Sequence, residues 1–175
     1  SEDDLLILVT HSDDDLTITP PAGWTTGLRI ATGGSQYGLQ YSWKVASAAD
    51  AIAADFTFTR NFSAAMRSYI CCFTGNDTTT PIREHQGTAP LSTAAASPLS
   101  IALTGVTPSA NDAIAFLAHI RPGTSTDRWD FTAPGSYTDR AEFSVNLLSG
   151  SLATRDNVSA GATGTLTGTV TITTG

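Results

Sequence analysis

Apolar and polar residues alternate one by one along much of the chain. Clear cases are residues 16–19, 56–59 and 165–173, where Thr occupies every second position, and Thr accounts for 28 of the 175 residues. Alternation of this kind with β-branched residues is typical of strands that bury one face and expose the other. The pattern therefore predicts an all-β chain.

Strands are predicted where the alternating or apolar segments lie between clusters of Gly, Pro, Ser, Asn and Asp, which favour turns. About ten short strands with almost no helix predict an antiparallel two-sheet sandwich, with a barrel as the other architecture such strands can build. The Ala-rich stretch 46–54 is short, so it is either a loop or a single helical turn. The predicted strands are 4–11, 15–19, 26–32, 36–46, 54–60, 65–74, 98–104, 112–121, 128–132, 140–149 and 163–173.

The domain organisation follows from length and from one irregular segment. A chain of 175 residues is long enough to bury a core, and we expect a single domain over 1–175. The connection 75–98 is rich in Thr, Ala and Pro, and we expect it to form a long surface excursion.

A weak internal echo relates segments 4–60 and 112–173. Each begins with Asp before an apolar strand, and each later carries Pro, an aromatic residue and Thr at the same relative positions, in 21–25 and in 134–138. The Pro offset is 134 − 21 = 113 and the Asp offset is 112 − 4 = 108. Duplication and convergent turn chemistry both explain this echo.

The first of these corners has a predictable structural role. Pro21 restricts φ and has no amide to donate, and Gly23 permits a positive φ, so the chain can reverse there. We expect the reversal to place Trp24 over the end of the core.

Several of these segments occur in the same order in a known group of proteins. They are Asp-Leu-Leu-Ile-Leu at 4–8, the corner at 18–25, Tyr-Ser-Trp-Lys-Val-Ala at 41–46, and 69–75 followed by Thr-Pro-Ile at 80–82. In this respect the chain resembles the β-sandwich domains of tailed-bacteriophage virion proteins, from Asp4 to about Ile82. The resemblance implies a jelly-roll-like sandwich in a capsid decoration (cement) protein or in a tail or fibre appendage.

The resemblance also implies a function and partners. No collagen-like repeat, coiled coil or further module follows the sandwich, which favours decoration. The expected protein is not an enzyme. It is a homotrimer on the major capsid protein, made in the host cytoplasm and located at the capsid surface of the virion. Tail or fibre receptor binding, to a host glycan or protein, is the alternative, and a carbohydrate-binding lectin-like domain is a further one.

Charge and hydropathy exclude two classes of partner. Nine basic against sixteen acidic residues give a net charge of −7, and Lys44 is the only lysine, so we expect no nucleic-acid binding. The apolar run 5–9 is far shorter than the roughly 20 residues of a membrane helix and lacks the basic flank of a signal peptide. We therefore expect no membrane partner. A small first residue fits removal of an initiator Met from a complete gene product.

The residues that could carry chemistry are scattered along the chain. His11, His85 and His119 are far apart, and no Gly-x-Ser-x-Gly elbow is present, so we expect neither catalysis nor a cofactor. Cys71 and Cys72 are neighbours that point to opposite faces of a strand, and they are interpreted as two buried thiols rather than metal or redox groups.

Two further features have alternative interpretations. The acidic tip at 13–15 is interpreted as a solvated turn, because it lacks the ligand spacing of a calcium loop, although consecutive carboxylates can bind Ca²⁺. The aromatic stripe at 37, 39, 41, 43 and 45 is interpreted as facing the core, with a sugar-stacking platform as the alternative. We expect no metal. The residues predicted to contact a partner are Glu2, Asp3, Asp4, Asp13, Asp14, Asp15, Arg83, Arg128 and Trp129.

Overall fold

The computed structural model of the chain describes residues 1–14, 16–31, 38–53, 55–61, 63–87, 99–120, 128–132, 135–145 and 148–173. Within these ranges the regular structure is almost entirely β, with one helical turn, α1 (Ala48–Ala51). The strands, in chain order, are β1 (Leu5–Ser12), β2 (Ile18–Thr19), β3 (Thr25–Ala31), β4 (Gly38–Val45), β5 (Thr59–Arg60), β6 (Met66–Phe73), β7 (Leu99–Leu103), β8 (Ile114–Ile120), β9 (Arg128–Thr132), β10 (Thr138–Val145), β11 (Leu148–Arg155) and β12 (Leu166–Thr173).

The predicted all-β class with antiparallel pairing and almost no helix is confirmed. The described ranges contain twelve strands rather than about ten. The chain divides into two compact units, unit 1 (Ser1–Arg83) and unit 2 (Glu84–Gly175). Jelly-roll connectivity and a single sandwich over the whole chain stay predictions.

Unit 1 has two antiparallel layers around a small core. Its larger sheet has the order β3-β4-β1-β6, and β2 pairs with β5 in a short second ladder. Leu8 of the larger sheet packs with Leu16 and Ile18, all three buried, and Trp24 and Phe58 pack against this cluster with Met66. The Trp24 ring lies 5.1 Å from that of Phe58 in an edge-on arrangement. Trp24 therefore packs against this core, and its position at the end of the core stays a prediction.

A buried glutamine joins these two layers through the main chain. The Ile18 amide donates to Oε1 of Gln40 (3.1 Å), and Nε2 of Gln40 donates to the Ile18 carbonyl (2.7 Å). Gln40 is only 3% exposed, so both groups of Ile18 are satisfied away from water by a side chain that acts as a neighbouring strand would.

Unit 2 contains two three-stranded antiparallel sheets, with orders β10-β11-β8 and β7-β12-β9. Its buried side chains include Phe116, Leu152 and Val170, each 2% exposed or less. The sequence predicted one strand over 140–149, which is wrong, because β10 and β11 are two paired strands.

The two units share the main-chain geometry at the start of their first long strands. Asp3 has φ 68°, its amide donates to the Ala46 carbonyl, and the Ala46 amide donates to the carbonyl of Asp4 (both 2.8 Å). In unit 2, Asn111 has φ 68° and its amide donates to the Val158 carbonyl (2.9 Å). The Val158 amide in turn donates to the carbonyl of the residue after Asn111 (3.0 Å). The same two-bond bridge therefore ties β4 to β1 and the chain after β11 to β8.

The aromatic corners also match. The glycine before Trp24 has φ 87°, and Ser136, which precedes Tyr137, has φ 74°. The Tyr137 ring lies edge-on to that of Phe116, 6.4 Å away, much as Trp24 meets its own Phe partners. Each aromatic residue is followed by an outer strand, β3 or β10.

In both outer strands the regular pairing is interrupted just beyond the second residue after the aromatic one. The pairing of β3 with β4 shifts between Thr26 and Arg29, and that of β10 with β11 shifts between Asp139 and Ala141. The segments 4–46 and 112–158 thus follow one strand plan, in which β1, β3 and β4 correspond to β8, β10 and β11. One difference is that β1 carries β6 on its second edge.

Candidate interaction surfaces

The N-terminal acidic segment is partly interior, which corrects one predicted contact. Asp4 is 7% exposed, and its Oδ2 accepts from the Ser1 ammonium group, from Ser1 Oγ (2.9 Å) and from Cys72 Sγ (3.5 Å). These donors, the ammonium group first, hold the pKa of Asp4 below its usual range. Glu2 and Asp3 are exposed, so they are the acids of this segment that a partner can reach.

The acidic tip is a tight turn held by main-chain bonds. The Asp13 amide donates to the Ala65 carbonyl (3.1 Å). The Asp14 carbonyl accepts from Ser12 Oγ (2.6 Å) and from the Leu16 amide (2.7 Å). Asp13 and Asp14 are half-buried. The third acid of the tip, Asp15, lies outside the described residues.

Arg83 lies at the end of unit 1 beside a carboxylate. Its Nη2 is 3.5 Å from Asp77, and each of the two side chains is slightly less than half exposed. Asp77 also accepts from the amides of Thr79 (2.8 Å) and Thr80 (3.1 Å). The pKa of Asp77 is lowered, first by these two amides and then by Arg83. Of the predicted excursion 75–98, residues 75–87 are described and contain no strand; 88–98 lie outside the described residues.

The other two predicted contacts can be placed only by their backbone. Arg128 and Trp129 open β9, an outer strand of its sheet, where they pair with Thr173 and Ile172. Their side chains lie outside the part of the chain that the structure describes.

The aromatic stripe faces away from the unit 1 core cluster. Register places Tyr41 beside Val9 and Ser42 beside Leu8, so the stripe and Leu8 lie on opposite faces of the sheet. The same face also carries Leu5 and Val9 of β1, which are 5% and 1% exposed, so the prediction that the stripe faces a core is not contradicted. Its described side chains, at 39, 41, 43 and 45, are half-buried, and position 37 lies outside the described residues.

A buried histidine and tyrosine form a pair on this same face. His11 is fully buried, with Nε2 3.2 Å from the Tyr69 hydroxyl and the two rings stacked 5.6 Å apart. Burial raises the pKa of Tyr69 well above its usual value, so the phenol stays protonated and takes part as a hydrogen-bonding group. This pair stabilises the junction of β1 and β6.

The two cysteines are free thiols in different environments. Cys71 is half-buried and Cys72 is exposed, so the prediction of two buried thiols is wrong for Cys72. Desolvation raises the pKa of both thiols, and Asp4 contributes at Cys72. A thiol with a raised pKa is less ionised at neutral pH and is therefore a weaker nucleophile.

The only lysine forms a structural ion pair that the sequence analysis missed. Nζ of Lys44 lies 2.8 Å from an Asp50 carboxylate oxygen, and both side chains are less than 15% exposed. Asp50 also accepts from the Ser47 amide (2.8 Å), which makes a capping box for α1. Lys44 and then Ser47 lower the pKa of Asp50 to about 2. The Ser-x-x-Asp spacing was the signal that could have revealed this cap.

Comparisons with protein-family models, curated proteins and solved structures found no match to this chain. Among the described residues, no three His, Cys, Asp or Glu side chains cluster as metal ligands. No helix in the same ranges is long and apolar enough to cross a membrane.

Proposed function

We propose that this chain is a non-enzymatic structural protein of a phage virion, and that it decorates the capsid by binding the assembled shell of the major capsid protein. The observation that carries the proposal is that polar side chains form hydrogen bonds within the chain itself. Asp4, Gln40, Asp50 and Arg140 bond to this chain's own main chain or to neighbouring side chains. These bonds stiffen strands and corners, which suits a protein that acts through its shape.

The composition of the surface supports the same proposal. The chain has 28 Thr and 15 Gly but only 9 Lys and Arg, and many of the Thr residues in strands are exposed. Short side chains lose little rotamer entropy when a partner covers them. A sheet surface of this kind fits broad contacts repeated over many copies.

Decoration would stabilise the shell by mass action. A protein that binds only the assembled capsid adds its binding free energy to that state alone. The net charge of −7, with Glu2 and Asp3 exposed, would speed association with a basic patch on the shell. The homotrimer and the capsid location belong to this proposal.

Copy number in purified particles tests the proposal directly. Decoration predicts a fixed stoichiometry to the major capsid protein, and particles lacking this chain should release DNA at lower temperature or milder osmotic shock. Adding the purified chain back should restore their resistance. Only a few copies per particle, with blocking of adsorption to host cells, would favour the tail appendage instead. Binding to a glycan array, with unchanged particle stability, would favour the lectin-like alternative.

A further inference from the structure

Strand β8 has the composition of a central strand but lies at the edge of its sheet. Its seven residues, Ile114–Ile120, include no Asp, Glu, Lys, Arg, Pro or Gly. In the order β10-β11-β8 it pairs with β11 on one side, and no strand from the described ranges pairs with the other side. A neutral, regular edge of this length leaves main-chain donors and acceptors available for another strand.

The equivalent strand of unit 1 shows how such an edge is covered. There β1 is paired on one side with β4 and on the other with β6, antiparallel, from Leu5 opposite Phe73 to Ser12 opposite Met66. The strand plan shared by the two units therefore accommodates a second antiparallel neighbour along its whole length.

Most other outer strands carry features that oppose edge pairing. The β3 and β10 ladders are each broken by a register shift, with Arg29 and Arg140 at those points. Strands β6 and β9 contain Arg67 and Asp130, and the uncharged β7 is two residues shorter than β8. Charges and bulges are the usual protection of sheet edges, so β8 stands out as the longest unprotected one.

We propose that β8 pairs antiparallel with β8 of a second copy of this chain, about a two-fold axis normal to the sheet. The pairing makes one six-stranded sheet, β10-β11-β8 followed by β8-β11-β10 of the second copy. Two-fold pairing brings two copies of every charge on the strand into one short contact, and a residue at the axis faces its own copy. Strand β8 has no Asp, Glu, Lys or Arg, and His119 is its only titratable residue, so it carries little of this penalty.

The faces of β8 fit this arrangement. Ile114, Phe116 and Ala118 are buried, whereas Ala115 is exposed and Leu117 is half-buried. An axis normal to the sheet keeps the buried faces of both copies on one side. The contact does not depend on the proposed function, and it is two-fold, whereas a trimer requires a head-to-tail contact.

The test measures the mass of the full chain by sedimentation and light scattering, from about 1 to about 100 μM. The wild type should reach an even multiple of the 18.2 kDa monomer mass, which is two for the β8 pair alone and six when the proposed trimer forms as well. Ala115→Lys places two like charges on the paired strands and should weaken dimerisation at least about tenfold. The matched control is Thr138→Lys, an exposed position on β10, the other outer strand of the sheet, and it should dimerise as the wild type does.

Hydrogen exchange of the wild type gives a readout that needs no variant. Amides in 114–118 should exchange more slowly as concentration rises, while those of β10 should not change. A wild type that is a monomer or a trimer at every concentration would overturn the proposal, as would an even-numbered oligomer that Ala115→Lys leaves intact. Protection of 114–118 that appears only when capsid shells are added would also overturn it, because the occupant would then be the shell protein.

Discussion

Replacing Gln40 with Leu tests how the two layers of unit 1 are held together. Gln40 and Ser42 are neighbours on the same face of β4, and both are buried, at 3% and 1% exposure. Gln40 makes two bonds to the main chain of Ile18, whereas the Ser42 hydroxyl has no hydrogen-bond partner in the described part of the chain. The variants Gln40→Leu and Ser42→Ala therefore differ in what they remove, although their positions are matched.

The expected magnitude follows from the Ile18 main chain. Leu cannot bond to it, so one buried amide and one buried carbonyl lose their partners, at about 1–3 kcal/mol each. Leu is more favourably buried than Gln, which returns about 1 kcal/mol. We expect Gln40→Leu to lower the free energy of unfolding by about 3 kcal/mol. Ser42→Ala removes an unsatisfied buried hydroxyl and should stay within about 0.5 kcal/mol of the wild type or be more stable.

Denaturant unfolding of the full chain measures both variants, and hydrogen exchange adds a local readout. The Ile18 amide should exchange faster in Gln40→Leu and at the wild-type rate in Ser42→Ala. If the two variants lose the same free energy, or if the Ile18 amide stays protected in Gln40→Leu, the side-chain bridge does not hold β2 and the reasoning is wrong.

Two more predictions concern the Lys44–Asp50 ion pair and the positive φ angles at the two aromatic corners. The pKa of Asp50 is lowered to about 2 from 3.8, so its contribution to stability is present above pH 4 and is lost as the pH falls toward 2. Asp50→Asn or Lys44→Met should flatten that part of the curve of unfolding free energy against pH, and an unchanged slope would contradict the ion pair. Gly23 and Ser136 both have a positive φ, at which a Cβ is strained. Gly23→Ala should therefore lower the free energy of unfolding by about 1 kcal/mol, whereas Ser136→Gly should not lower it. Denaturant titrations measure both variants, and equal losses would contradict the reasoning.

Much of the strand layout was predictable because alternation reports directly on which residues can line a buried face. The exceptions have physical reasons. Strand β11 begins Leu-Ser-Gly-Ser, without β-branched residues, and no Gly or Pro signal stands between it and β10, so the hairpin was interpreted as one strand. Alternation also shows two faces without showing what covers each. The stripe containing Tyr41 is an example, because it lies opposite the Leu8 cluster but beside buried Val9.

The candidate surfaces were less predictable because contacts between distant residues determine them. Asp4 looks like part of a solvated acidic start, yet Cys72, 68 residues away, and the Ser1 ammonium group enclose it. Gln40 looks like an ordinary polar position in a strand, and its role appears only when β2 is placed beside it. Spacing within one segment carries no information about either partner.

The two units show why their sequences are only weakly similar although they share one strand plan. What recurs between them is main-chain geometry: a positive φ before the first strand, another before the aromatic corner, and a register shift in the outer strand. Several side-chain types can meet each requirement, so Ser136 stands where unit 1 has glycine and Tyr137 where it has Trp24. Ser151 occupies the register position of Gln40, and its buried hydroxyl has no partner among the described residues, so unit 2 lacks that bridge. A strand plan that depends on backbone geometry tolerates such exchanges, and it leaves edges such as that of β8 free to differ in what covers them.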